Sequence, residues 1–393
     1  PETGKAYSRA RELCHDIGDA PQLFPVLFGL WEFFQTQGDL EAAVDVGEQM
    51  LVLAEVGNDQ GQRVAAHAVM ADNLVCVGDP VPATDHAARA LALYEPEEHR
   101  SLASLFGYDS AVSAHSLGAL ALWLAGYPDQ AIREATSGAA LSDTFSDPAT
   151  QAFGPLVASW IQQLTGSAEK AQELADQCIG LATEIEMPMF LGFGRVLKGW
   201  TQIAREDIEK GTELAREGVD RLEAIEFGWA RSFTLSVIAQ GCADMGRYDE
   251  ALTLVDEAFD HVATTGEHFH EAELHRLKGE FLLSSEPLES EHCFLQAIEV
   301  AQRQQAKSWE LRATKSLARL WREQGRRAEA DKRLEQIYSW FTEGFDTSDL
   351  KAARALLEEL QAALREKGGE PPSIPPHQEE STKSKSIVVL PFA

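Results

Sequence analysis

The chain has 393 residues, 44% of them hydrophobic, and a formal net charge of −29. That apolar content is enough for a large core, while a field of that sign repels phosphate backbones and excludes nucleic acid as a partner of the body as a whole. Strand signals are almost absent and Ala, Leu, Glu, Gln and Arg dominate, so the expected class is all-α. No apolar run is long enough to span a membrane and no signal peptide is visible, so a cytoplasmic location is expected. Cys14, Cys76, Cys178, Cys242 and Cys293 lie far apart without CxxC spacing. They read as buried reduced thiols rather than disulfides or a metal site.

A leading helix is expected over residues 3–17. From there the chain repeats one pattern, written most clearly in "GRYDEALTLVDEAF", residues 246–259. Turn residues recur at Gly38, Gly78, Gly126, Gly166, Glu206, Gly246, Glu286 and Gly325, at intervals of 40, 48, 40, 40, 40, 40 and 39. Five positions after each turn stand Ala43, Ala83, Ala131, Ala171, Gly211, Ala251, Glu291 and Ala330. Seven positions before stand Trp31, Ala71, Ala119, Ser159, Gly199, Ala239, Gly279 and Ala318. Small residues at both places let two helices of a hairpin approach closely, and a glycine at the corner ends the first helix in the left-handed conformation. A hairpin of this size has too small an apolar face to stand alone, so the units must stack into a solenoid. The longer second interval predicts an extended loop near residues 95–107, and residues 347–364 read as a terminal amphipathic helix.

The small residue midway along the first helix, the corner glycine and the early alanine of the second helix resemble the tetratricopeptide repeat, with units of roughly 40 residues instead of 34. Three C-terminal stretches, "EAELHRLKGEFLL" (271–283), "QAIEVAQRQQAKSWELRATKSLARLW" (296–321) and "WFTEGFDTSDLKAARALLEEL" (340–360), are similar to the repeat tail of bacterial signalling proteins. Those proteins join a class III adenylate/guanylate cyclase or another effector to an AAA-like ATPase and then a tetratricopeptide superhelix. The resemblance implies a right-handed solenoid of about eight hairpins over 1–345 and a capping helix over 346–366. A disordered linker is expected over 367–385, "EKGGEPPSIPPHQEESTKSK" being rich in Pro, Gly, Ser and charge. "SIVVLPFA", 386–393, resembles the first strand of a following TolB-like domain. The first residue, Pro1, and the abrupt end are expected of a piece of something longer. No phosphate-binding GxxxxGK[ST] loop and no cyclase domain occur in it.

Chemistry-bearing motifs are weak. His270 and His275 are five apart, so "HFHEAELH" lacks the i, i+4 pair of a zinc helix. "GFGRVLKG" at 192–199 lacks the third glycine and preceding strand of a dinucleotide site. His67, His115 and His275 share one repeat position but lie at least 40 residues apart, so they do not form one metal site. Neither cofactor nor metal is expected, and the chain reads as non-enzymatic.

The resemblance places ligand-facing residues about 13, 10, 6 and 3 positions before the turn. The first set reads Pro25, Ala65, Ser113, Phe153, Phe193, Phe233, Glu273 and Arg312, and the third Glu32, Asp72, Leu120, Trp160, Trp200, Gln240, Glu280 and Arg319. The expected groove is therefore an open trough. It is apolar in the middle, with Trp123, Phe153, Trp160, Phe193, Trp200 and Phe233, and basic at the C-terminal end, with Arg312, Lys315, Arg319 and Arg322. Aromatic rings supply contact area at low entropy cost and arginines fork onto carboxylates. Two alternatives stand beside this assignment: the aromatics pack inside the hairpins, and the basic run pairs with acidic neighbours. The functional expectation is an interaction or sensor module of a bacterial multidomain signalling protein that binds a protein, peptide or small effector. Open alternatives are a fragment of a cyclase or ATPase regulator with its catalytic domains elsewhere, and a spacer or oligomerisation arm.

Overall fold

The computed structural model describes residues 9, 22–184 and 186–366. Most of the leading helix expected over 3–17, the linker and the terminal strand lie outside the described residues. The described residues form helices joined by short turns, with no strand among them, and the fold is the expected all-α solenoid of stacked hairpins.

Eight hairpins follow in order. They are α1 (Leu23–Gln37) with α2 (Leu40–Gly57), then α3 (Gln60–Cys76) with α4 (Pro80–Leu93). After the short α5 (Pro96–His99) and α6 (Ala103–Phe106) come α7 (Ser110–Ala125) with α8 (Pro128–Ser142), and α9 (Pro148–Thr165) with α10 (Ala168–Glu184). The second half pairs α11 (Pro188–Ile203) with α12 (Ile208–Glu223), α13 (Arg231–Asp244) with α14 (Tyr248–Thr265), α15 (Glu271–Leu282) with α16 (Pro287–Arg303), and α17 (Lys307–Glu323) with α18 (Arg327–Tyr338). A last helix, α19 (Ser348–Glu366), packs Leu350, Ala353, Leu357 and Leu360 against the end of the stack.

The extra residues of the second interval fold as helical turns rather than as an irregular loop. Phe106 is buried there with its ring 4.7 Å from Phe28 and 5.9 Å from Phe24, so apolar anchoring overrides the turn-like composition around it.

The small positions sit where the hairpins cross. Ala43, Ala83, Ala131, Ala171, Ala251 and Ala330 are fully buried. Gly199 and Gly211 bring α11 and α12 together so closely that a Cβ on either would stand 2.5 Å from the other's carbonyl oxygen.

Seven of the expected turn residues, including Glu206 at φ 70°, adopt the left-handed conformation. Glu286 does not, with φ −138°. It precedes Pro287, whose ring drives the preceding residue toward extended backbone. The small contact opposite Gly279 is therefore Ser290, eleven residues on, where Ser159 and Ala171 are twelve apart. That corner lies one residue earlier than the spacing predicts.

The stack makes a full superhelical turn and touches itself. Thr36, Cys76, Trp123 and Leu164 lie in the last turns of α1, α3, α7 and α9, where main-chain carbonyls lack partners within the helix. Donors from the next superhelical turn reach them. Gly228 N–H donates to Thr36 O (2.8 Å), Phe269 N–H to Cys76 O (3.2 Å), Ser308 Oγ to Trp123 O (2.5 Å) and Arg312 Nη2 to Leu164 O (2.7 Å). The corner glycines of these four units have no room for a side chain. A Cβ at Gly78 would meet Gln304 at 2.6 Å, at Gly126 Trp340 at 2.6 Å, and at Gly166 Ser348 below van der Waals distance. Gly246 and Gly325, in the undocked half, have open space around them. Glutamate occupies a corner only in the undocked half, where a side chain has somewhere to go.

Gly126→Ala and Gly246→Ala therefore differ. Both carry the backbone cost of a positive φ, roughly 1 kcal/mol, but only the first also overpacks, for about 1–3 kcal/mol more. Urea melts should show the larger midpoint loss for Gly126→Ala. Gly180→Ala, a helix-interior site with nothing within 4 Å, should gain up to about 1 kcal/mol.

Candidate functional site

Because the superhelix closes on itself, the inner helices face one another across its axis, and the expected open trough is filled at its centre. Trp160 is the hub. Its ring lies 4.4 Å from Phe233, 5.8 Å from Trp229, 5.9 Å from Phe269 and 6.4 Å from Phe193. Trp160, Phe193 and Phe233 are each at most 2% exposed. Trp123 is buried edge-on against Trp309, 4.6 Å away. The next superhelical turn covers these positions, so they form a plug rather than an accessible lining.

A cavity lies on either side of the plug. The N-terminal chamber, about 90 Å³, is walled by Trp31, Glu32 and Gln35 of α1, Asp72 of α3, Tyr108, Phe153 of α9, Phe190 of α11, and Phe227 and Trp229 from the loop before α13. Half-buried Phe153 stacks on Tyr108 at 5.4 Å. The insertion that buries Phe106 thus also carries Tyr108 to the chamber.

Asp72 is 8% exposed and accepts a hydrogen bond from the Cys76 thiol at 3.4 Å. Cys76 Sγ accepts in turn from Trp229 Nε1 at 3.1 Å. Burial pushes the Asp72 carboxyl up to about 6, against weaker hydrogen-bond help from Cys76, Trp229 and Gln35. Burial, reinforced by the Asp72 charge, raises the Cys76 thiol well above its ordinary range, so it is an inert thiol rather than a nucleophile.

The C-terminal chamber, about 210 Å³, is walled by Gln163 of α9, Trp200 of α11, Phe233, Ser236 and Gln240 of α13, His270 and Glu273 before and in α15, Arg276, Trp309 and Arg312. Trp200 is half-buried here. Ser236 gives its hydroxyl proton to Phe233 O at 2.7 Å, so His270 Nε2, 3.0 Å from Ser236 Oγ, must be the donor of that pair. The tautomer leaves Nδ1 a bare acceptor, and it has no partner. Burial lowers the His270 imidazole to about 4, so the ring is neutral.

Charges beside this chamber are already matched. Arg276 grips Glu273 with two bonds of 2.8 Å and reaches Glu280 at 3.1 Å. Arg312 stacks between Trp123 and Trp309, about 5 Å from each ring centre, and binds Asp349 of α19 at 2.6 Å. Lys315 binds the other Asp349 oxygen at 2.6 Å, and Arg322 binds Glu359 at 2.8 Å. Arg319 is exposed. The basic end expected to face a ligand is thus largely occupied by the chain's own terminal helix. Burial alone would raise the Asp349 carboxyl, but attraction to Arg312 and Lys315 outweighs it and holds the group far below the usual carboxylate range.

Each histidine of the shared repeat position pairs separately. His67 Nδ1 meets His86 at 3.0 Å, His115 meets Glu134 at 2.7 Å, and His275 packs on Phe259 at 4.6 Å. No cluster able to hold a metal exists among the described residues, and no described helix is long and apolar enough to cross a membrane.

Spacing missed several chamber residues. Trp31 stands where seven units have a small residue, Trp229 and Tyr108 lie in connections outside the repeat frame, and Glu32 and Asp72 share the repeat position of Trp160 and Trp200 without their aromatic signal.

No family model matches the sequence, and no curated protein matches it. Solved structures do share the fold. A chain from the APC/C hetero-tetramer Cut9–Hcn1 aligns over 90% of this chain with a TM-score of 0.55 and 10% identity, and this chain covers 59% of that one. A Rap protein complexed with Competence and Sporulation Factor aligns over 88% of this chain and 99% of its own, with a TM-score of 0.53 and 11% identity. IFIT1 with Gppp-AAAA gives a TM-score of 0.50 at 14% identity, over 91% of this chain and 76% of its own. The chain is a right-handed tetratricopeptide-like solenoid.

Asp349→Ala should cost about 3–5 kcal/mol in denaturant melts, because Lys315 would be left buried without a counter-charge and Arg312 with Glu273 alone, at 3.5 Å. The wild-type contribution of Asp349 is present above the unfolded aspartate pKa and is lost as pH falls below it, since the folded value is depressed. Asp72 has the opposite sign. Its folded value is raised, so its charge destabilises the fold progressively as pH rises from about 4 to about 6. Asp72→Asn should remove that slope and raise Tm at pH 7.5.

Proposed function

We propose that the chain is a non-catalytic interaction or sensor module of a bacterial multidomain signalling protein, and that it takes a peptide, partner domain or small effector along its concave axis. The observation that carries this reading is the wall of each chamber. Helices or loops from at least five units surround the N-terminal chamber and from five the C-terminal one, so any occupant bridges a whole superhelical turn. Binding there acts on pitch. A ligand that fits the closed turn better than a loosened one shifts the population toward the closed form, and an attached domain that senses the pitch follows. The solved complex of a Rap protein with Competence and Sporulation Factor is an instance of the same fold with a bound factor. The charge of −29 favours basic over phosphate-rich partners.

The test is a peptide-display selection against the full chain, followed by titration of the enriched peptides. Phe153→Ala or Trp200→Ala, each at a half-buried chamber position, should weaken binding by about tenfold or more, in line with the loss of an aromatic anchor, while circular dichroism shows a folded helical protein. Peptides whose affinity ignores both substitutions, or a selection that yields no saturable binder, would contradict the axis as the binding surface.

A further inference from the structure

The N-terminal chamber is unlike its counterpart in the kind of polar groups it holds. Its polar wall holds two carboxylates, Glu32 and Asp72, with the Gln35 amide, the Thr36 hydroxyl and the Tyr108 phenol, and no lysine, arginine or histidine lines it. Asp72 is more than nine-tenths buried, and no ion pair reaches it among the described residues. Its neighbours offer it a thiol and neutral groups only. Gln35, 5% exposed, turns Nε2 to Cys76 Sγ at 3.8 Å and leaves Oε1 with no donor. Glu32 sits at the rim, and burial raises its carboxyl above the ordinary range. Burial first, and then the charges of Asp72 and Glu32, push the Tyr108 phenol well above its usual range, so phenol and carboxylates address the same space.

A carboxylate kept among aromatic rings without a counter-charge is costly, whereas the acidic groups of the C-terminal chamber are all paired. A buried carboxylate without a counter-charge and a Gln35 carbonyl without a donor, beside the faces and edges of Trp31, Tyr108, Phe153 and Trp229, complement a group that brings both positive charge and N–H donors. The void of about 90 Å³ is far smaller than a pocket for a drug-sized molecule and suits one head group.

We propose that the N-terminal chamber binds a single organic cation, an alkylammonium or alkylguanidinium head carried by the ligand of the axis, with Asp72 as its buried counter-ion, Glu32 at the entrance and the Gln35 carbonyl as an additional acceptor. This rests on the reading of the axis as the binding surface and names the chemistry one end of the ligand must have.

The experiment uses n-butylguanidinium, n-butylammonium and the neutral isostere N-butylurea as probes, titrated into the full chain and followed by saturation-transfer NMR at pH 7.5. Both cations should bind saturably and N-butylurea should not. Asp72→Asn should weaken the cations at least tenfold with an unchanged or raised Tm, and Glu32→Gln should weaken them severalfold. A wild-type chain that binds neither cation, binds N-butylurea as well, or loses nothing on Asp72→Asn overturns the inference. Selected peptides decide how the two readings separate. Peptides that depend on Trp200 but are indifferent to Asp72→Asn would sink the cation site and leave the axis reading standing. Loss of affinity when their basic residue is replaced by citrulline or norleucine would assign the cation to a peptide side chain, and binding of the free cations alone would assign it to a small effector.

Discussion

The last turn of a helix ends in carbonyls that need donors, and in this protein four inner helices obtain them from one superhelical turn further along the chain. The bonds from Gly228, Phe269, Ser308 and Arg312 to Thr36, Cys76, Trp123 and Leu164 form a seam. Pulling the turns apart would return those carbonyls to water and expose the aromatic plug at the same moment, so the polar and apolar contributions act together. The seam also explains a pattern within the repeat. Corner glycines are required twice over where the corners dock, and only once where they face solvent.

Closure decides what the concave surface can do. An open superhelix presents every inward side chain to a partner. This one uses Trp160, Phe193 and Phe233 to hold its own turns together and keeps two small chambers at the ends of the plug. The basic stripe of α17 has the same fate at the C-terminal end, where Asp349 and Glu359 of α19 neutralise much of it. Stability and recognition are thus drawn from the same inward positions. The N-terminal chamber, where Asp72 has no counter-charge and the Gln35 carbonyl no donor, is a place where packing has been left incomplete, and such positions are where binding sites commonly sacrifice stability.

Much of this was legible before any coordinates. The 40-residue interval, the small residues on either side of each corner and the left-handed glycines are local properties, fixed by hairpin geometry and visible in one chain. The same spacing assigns Phe153, Trp160 and Trp200 an inward phase. What could not be read was whether inward meant accessible. That depends on contacts between residues such as Gln130 and Glu343, 213 positions apart, and no periodicity encodes them. Tyr108 and Trp229 escaped because they lie in connections, where no repeat frame assigns a direction. Glu286 misled by one position, because the proline after it changes the corner without changing the look of the repeat.

Amide hydrogen exchange at Gly228 and Phe269 tests the closed turn most directly. Both amides lie in loops, and in the structure each donates only across the seam, to Thr36 O and to Cys76 O. The account predicts protection comparable to that of the helical amides of α13 and α15. Exchange at the rate of an open loop, with the helices still protected, would show that the turns stand apart in solution and that the axis is an open groove after all.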